Sequence, residues 1–244
     1  MSNVAKPRKG ARARAAIAVV AVLAPLTLIA GSLIEGMRYY VTGTLMVVYA
    51  LVPFFAAFED HAPQAREIVV VAVLCALAVA SRAAFIWAPG IKPMVGIIML
   101  AGIALGPQTG FLVGAVSAFV SNFIFGQGPW TPWQMFAFGL AGLVAGMLAQ
   151  RGVIARHSLS ARAKLALAIG GALGVVFAVG PILDTSSVFT MLSIMTPEGA
   201  LAVYAAGFPL NCVHAAATFA TLYLLANPLL GRLHRLKVKF GLLE

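Results

Sequence analysis

The chain is poor in charge. Asp and Glu together number seven in 244 residues, and all charged residues make up only 10%. No polar stretch is long enough to fold a separate soluble domain. Cysteine is nearly absent, since only Cys75 and Cys212 occur and both lie inside apolar runs. They are read as free, inert thiols, with no disulfide framework and no metal site. Several motifs that carry chemistry are missing: GxxxxGK[ST], HExxH, CxxC and GxSxG. ATP hydrolysis by the Walker route is excluded, and the scattered carboxylates argue against a paired-acid site. The chain is therefore not expected to be an enzyme, and no cofactor or metal is expected.

What the chain does have is apolar length. Hydrophobic residues make up 61% of it, the composition of a polytopic membrane protein. A helix crossing a hydrocarbon core of ~30 Å needs roughly 20 residues. Spans are predicted at residues 15–34, 42–58, 67–86, 93–105, 110–126, 134–150, 164–183 and 199–226. The run from Ala15 to Leu33 follows a basic start, but it is too long for a signal-peptide core and lacks a convincing cleavage site, so it is read as a retained helix. Gly106-Pro107-Gln108-Thr109-Gly110 predicts a tight hairpin between the fourth and fifth spans.

The net charge of +10 does not point to nucleic acid, because the basic residues sit in short clusters between apolar spans. With the N-terminus inside, 14 of the 17 Lys/Arg fall on inner segments. Arg38, Arg82 and Lys92 are left for the outer side. This asymmetry places both termini in the cytoplasm. His61, His157 and His234 fall in polar inner segments and are read as solvated. The outer side carries Trp87, Trp130 and Trp133, with Asp184 and Glu198. An interfacial aromatic belt explains single tryptophans there. The outer loops also hold Pro89-Gly90, Gly126-Gln127-Gly128-Pro129 and Asp184-Thr185-Ser186-Ser187, turn formers and neutral polar groups suited to a pocket at the bundle mouth.

Small residues recur every fourth position. Ala72, Ala76, Ala80 and Ala84 form a methyl-only groove on the third span. Gly102, Gly106, Gly110 and Gly114 form a second ladder that runs through the predicted hairpin. Gly142/Gly146 and Gly170/Gly174 are GxxxG pairs, expected to mark close internal helix packing.

Residues 67–238 resemble the membrane-embedded substrate-binding S-component of an energy-coupling factor (ECF) vitamin transporter. The resemblance rests on a series of motifs. The alanine ladder is similar to the family's AxxxA signature. Ser81-Arg82 and Pro89-Gly90-Ile91-Lys92-Pro93 follow at the outer turn, and Gly106–Gly114 at the inner turn. SNFIFGQGPWTPWQM (121–135) lies at the next outer turn, then Phe138–Gly142. Asn211-Cys212-Val213-His214-Ala215 sits in a last helix that ends in a basic tail. The fold this implies is an all-α membrane protein: a six-helix core at 67–238, preceded by an extra transmembrane hairpin at 1–66 and followed by a short tail at 239–244.

The resemblance implies a subunit of the cell membrane that binds a vitamin-like small molecule from outside. Its implied partners are a T-component and two cytoplasmic ATPases, with Ala72, Ala76, Ala80 and Ala84 as the docking groove. The substrate residues expected on the outer side are Arg82, Trp87, Asn122, Gln127, Trp130, Trp133, Gln134 and Asp184, with Asn211 and His214 as a polar floor. Trp offers a stacking face and the amides offer a polar edge. Arg82 is expected to pair with Asp184 or to snorkel, and Lys92 to be interfacial. The long neutral outer loops suggest cobalamin or a related compound, while riboflavin, thiamine, a pyrimidine or a queuosine precursor stay open. A self-contained secondary transporter and an intramembrane enzyme acting on lipid-linked substrates are the competing classes.

Overall fold

The computed structural model describes residues 11–33, 38–59, 65–192 and 196–240; His61 falls outside them. Among the described residues there are nine α-helices and no strand: α1 Ala11–Leu33, α2 Arg38–Glu59, α3 Ala65–Ala83, α4 Met94–Leu105, α5 Pro107–Phe125, α6 Thr131–Gln150, α7 Ala161–Gly174, α8 Gly180–Met191 and α9 Pro197–Phe240. A π-helical segment, Val175–Val179, joins α7 to α8 without a break, so the nine helices make eight rods. The chain is an all-α membrane protein, which suits a bilayer because helices satisfy their backbone groups internally.

The rods differ in how they can cross a membrane. Among the described residues, four stretches are long and apolar enough to span by themselves: α5, α6, the continuous Ala161–Met191 rod, and α9. α3 has the length, but Arg66, Glu67 and Arg82 interrupt its apolar run. The predicted fourth span, 93–105, is present as the short α4. α4 has 12 residues and every one is buried. At 1.5 Å per residue it is about 18 Å long and cannot cross alone. It is hydrophobic all round because neighbours surround it: α3, α5, α6 and α9 all pack on it. The loop at 84–93 precedes it and folds onto α9, where Gly90, at φ 84°, lies against Leu210 and Val213.

The predicted hairpin at Gly106 is present. Gly106 has φ 103°, a region open mainly to glycine, and donates its N–H to the Gly102 carbonyl at 2.8 Å. Pro107 then opens α5, where its missing N–H costs nothing. This turn brings the glycines of α4 and α5 against α6. A Cβ at Gly142 would fall 2.5 Å from the Gly110 carbonyl carbon, and one at Gly110 would fall 2.6 Å from the Gly102 Cα. Gly114 and Gly146 lie equally close to backbone of the facing helices. Backbone meeting backbone is what small residues permit in lipid, where water drives nothing together. The Gly170/Gly174 pair is different. A Cβ at either meets nothing within 4 Å, so the expectation of close internal packing is corrected there.

α9 also departs from expectation. The basic stretch after residue 226 continues as helix to Phe240. Its 44 residues span about 66 Å, more than the ~40–45 Å of a whole bilayer. Leu230 and Leu233 remain buried in one apolar cluster with Leu159. Asn227 fixes that junction by donating to the Leu159 carbonyl and accepting from the Leu159 N–H, both at 2.9 Å. At the N-terminal end, α1 packs on α2, and α2 docks on α5, α6 and α8, with Gly43 directly under the Phe189 ring. Among the described residues, nothing covers the face of α3 that carries Ala72, Ala76 and Ala80.

Candidate functional site

The polar residues where α3, α5 and α6 meet are ordered by one chain of hydrogen bonds. Arg82, in the last turn of α3, is buried. Its guanidinium donates to Ser121 Oγ and, at 3.1 Å, to Asn122 Oδ1. It also lies 4.1 Å from the centre of the Phe125 ring, a cation–π contact. Asn122 passes the chain on by donating to Thr131 Oγ1 at 3.0 Å, and Thr131 donates to Gln127 Oε1 at 2.9 Å. The ends of α3 and α5 and the start of α6 are thereby tied together. Arg82 neither pairs with Asp184 nor snorkels, which corrects the sequence expectation. Neutral hydroxyl and amide partners, with an aromatic face, satisfy it inside the bundle.

A second polar group lies between α8 and α9. Asn211 Nδ2 donates to Asp184 Oδ2 at 2.7 Å. Glycines make room for both side chains: a Cβ at Gly180 would overlap the Asn211 carboxamide, and one at Gly207 would overlap the Asp184 carboxylate. Thr185 and the Tyr204 hydroxyl share a hydrogen bond at 2.8 Å in the same seam. The π-helical segment helps to aim these groups. Pro181 has no N–H and its ring crowds the preceding turn, and a local widening to π geometry is one way a helix absorbs that.

His214, on the α9 face shared with Asn211 and Thr218, is 1% exposed. Its ring meets Phe138 of α6 edge-on, with centroids 6.1 Å apart. Among the described residues, His214 Nε2, Gln134 Oε1, Thr218 Oγ1 and Ser117 Oγ are buried without a hydrogen-bond partner. Such a group costs about 1–3 kcal/mol when left unpaired, so four of them in the core of one bundle need an explanation.

Lys92 links the two groups, and sequence reasoning missed it. It sits half-buried on the loop that folds onto α9. Burial of its ammonium group lowers its pKa to about 8; Arg82 pushes the same way, and Asp184 opposes. It is thus within electrostatic reach of both Arg82 and Asp184. Ser121 and Thr131 were also missed as partners, although both lie within the stretch 121–135 that the resemblance singled out. The signal was there: a hydroxyl at each end of a turn-rich loop, beside an intramembrane arginine.

Not every expected site residue joins this interior set. Arg82, Asn122, Gln134, Asp184, Asn211 and His214 face the core. Trp87 is 77% exposed and packs only loosely on Phe85. Trp130 is exposed and donates to the Gly126 carbonyl. Gln127 is exposed as a residue, and its amide donates to the Phe119 carbonyl at 2.9 Å. These three form the rim. Trp133 is intermediate: it is half-buried, with its ring 5.5 Å from that of Phe189. Ala72, Ala76 and Ala80 are exposed on α3, while Val71, Leu74, Cys75 and Ala78 pack inward. Ala84 lies just past the helix, in the turn that follows, its N–H bonded to the Ala80 carbonyl.

Comparison with known proteins agrees with this architecture. The family described as ECF-type riboflavin transporter, S component, matches residues 63–233. A UPF0397 protein of Vibrio atlanticus (strain LGP32) is 28% identical over 129 residues, covering 48% of this chain and 70% of that protein. No solved structure matches the chain. The match takes in α3 to α9 and both polar groups, and it leaves the α1–α2 hairpin outside. The chain belongs to the ECF-type riboflavin transporter S-component family, a family of transporter subunits and not of enzymes.

Proposed function

We propose that this protein is the substrate-binding subunit of an ECF-type importer in the cell membrane, and that it takes a flat, hydrogen-bonding heterocyclic vitamin of the riboflavin kind from the outside. The observation that carries the substrate class is the set of buried polar atoms without partners, Gln134 Oε1 and His214 Nε2 above all. A planar ring with donors and acceptors along its edge would pair with them, while Phe138 and Trp133 offer aromatic faces. Arg82 and Asn122 hold the outer wall of the site, and Lys92 adds a positive charge at its mouth. Asp184 and Asn211 brace the opposite wall. The rim residues Trp87, Gln127 and Trp130 lie on the entry path. A T-component and two cytoplasmic ATPases would supply the energy, and the exposed Ala72, Ala76 and Ala80 face of α3 is the surface on which a partner helix would pack.

The test is to purify the chain without added ligand, identify any retained small molecule by mass spectrometry, and titrate the emptied protein with riboflavin and with cobalamin. Riboflavin fluorescence should be quenched at one equivalent, and cobalamin should not compete. His214→Ala and Asn122→Ala should each weaken binding by about tenfold or more, the equivalent of ~1.4 kcal/mol. Tight cobalamin binding, or flavin affinity unchanged in both variants, would remove this reading of the site.

A further inference from the structure

α6 and α7 are consecutive in the chain but diverge in space. α6 instead meets the π-helical segment and α8. The space between them is a cleft of about 690 Å³. One wall is the α7 rod, where Ala166, Gly170 and Gly174 of α7 and Ala178 of the π-helical segment recur every fourth residue. That wall is smooth, and among the described residues nothing lies within 4 Å of a Cβ at Gly170 or Gly174. Val144 and Leu148 of α6 face it across the cleft. The cleft ends near Ala137 and Ile182, where α6 comes up against α8, and reaches in the other direction to Ser158 and Ser160 of the inner loop. It is therefore a wedge, widest toward the inner loop and narrowing along the rod as far as Ile182.

The open end is positively charged. Arg151, Arg156 and Arg162 are exposed on the segments that bound it. None of the three has a carboxylate partner among the described residues. Lys164, by contrast, is engaged over the Tyr223 ring at 5.2 Å. Ser160 caps α7 by accepting from the Ala163 N–H at 3.2 Å. The first N–H groups of α7 otherwise point out of the helix with no acceptor of their own, which favours an anion there.

We propose that this cleft is a phospholipid site: an acyl chain of an inner-leaflet anionic lipid fills the wedge, and its phosphate meets Arg151, Arg156, Arg162 and the start of α7. The volume lies within the ~300–1,000 Å³ of ordinary ligand pockets. A basic rim between membrane helices on the cytoplasmic side is the arrangement that holds anionic headgroups. The shape favours a chain over a partner helix. A helix is about 10–12 Å across with its side chains and needs that width along its whole length, whereas this wedge narrows as α6 approaches the π-helical segment and α8. A polar vitamin finds only Ser158 and Ser160 hydroxyls and loop backbone here, at one end.

The experiment uses the full chain in nanodiscs of equal parts phosphatidylcholine and phosphatidylglycerol, released into the gas phase for native mass spectrometry. The wild type should retain one phosphatidylglycerol, preferred by about tenfold or more, as basic residues near an anionic surface would give. Gly170→Leu with Gly174→Leu should fill the wedge and abolish retention. Arg151→Gln, Arg156→Gln and Arg162→Gln together should erase the headgroup preference, and they decide the matter alone if the leucine variant does not fold. Retention and preference unchanged in the arginine variant would overturn the proposal. So would a folded leucine variant that keeps its lipid but no longer assembles with ECF partner subunits, because the occupant would then be a partner helix.

Discussion

Adding one methyl group at Gly142 should separate α6 from the α4–α5 hairpin. The Cβ would stand 2.5 Å from the Gly110 carbonyl carbon and 3.0 Å from its Cα, where ordinary contact begins at 3.4 Å. The obstacle is backbone, so no side chain can rotate out of the way. The helices must part by about 1 Å, and packing along the α4–α5–α6 junction is lost with that gap. Overpacking of this kind costs about 1–3 kcal/mol, and a rigid obstacle puts Gly142→Ala in the upper half of that range. For a chain of this size, each kcal/mol moves the midpoint by about 2–4 °C, so a fall of ~5–10 °C is expected. Gly170→Ala is the matched control. Its methyl meets nothing within 4 Å, and alanine is the better helix former by about 1 kcal/mol, so its midpoint should hold or rise. Cys75 is buried and Cys212 exposed. In a Cys212→Ala background, a thiol-reactive dye therefore reports unfolding directly through Cys75. Equal midpoints for the two alanine variants would refute the argument that backbone contact at Gly142, and not glycine content, holds the junction.

Three further outcomes are expected. Lys92 has a folded pKa of about 8 against 10.5 for the free side chain, so between those values the unfolded chain binds more protons. Stability should rise with pH across that window, and Lys92→Met should flatten the rise when thermal midpoints in detergent are compared. Arg82→Gln should leave Ser121 and Asn122 without their charged donor and cost about 1.5–3 kcal/mol by the same thiol assay, whereas Asp184→Asn should leave the Arg82 network intact; a large loss in the Asp184 variant traced to Arg82 would contradict the observed pairing. Ala76→Trp and Ala80→Trp should block co-purification with a T-component and its ATPases while leaving binding of the proposed ligand unchanged, and intact assembly would remove the proposed docking role of α3.

The sequence reading succeeded where a signal is local and repeated. Apolar runs bounded by basic clusters located most of the rods, because burial in lipid demands about twenty apolar residues whatever the neighbours are. Gly106-Pro107 announced its own turn through backbone sterics. It failed where length or pattern depends on company. The apolar run of α4 located the helix, but only packing shows that its 12 residues are surrounded on every side. Gly142 and Gly170 sit in identical GxxxG spacing, and only the facing helix decides that one is crowded and the other open. In the site, Asn122, Asn211 and His214 stood out because polar groups are expensive in an apolar helix. Lys92 did not, since an interfacial lysine is ordinary until a loop folds it against α9.

The sequence by itself determined that this chain lives in a membrane and which family it resembles; composition and motif order act residue by residue and need no partner to be read. Only the tertiary structure decided who satisfies whom. Arg82 could have paired with Asp184 by charge, but the hydroxyl of Ser121 and the amide of Asn122 lie where its guanidinium points, and Asp184 is taken by Asn211. Hydrogen bonds and close contacts depend on ångström-scale placement across helices far apart in sequence, and that information exists only once the helices are packed.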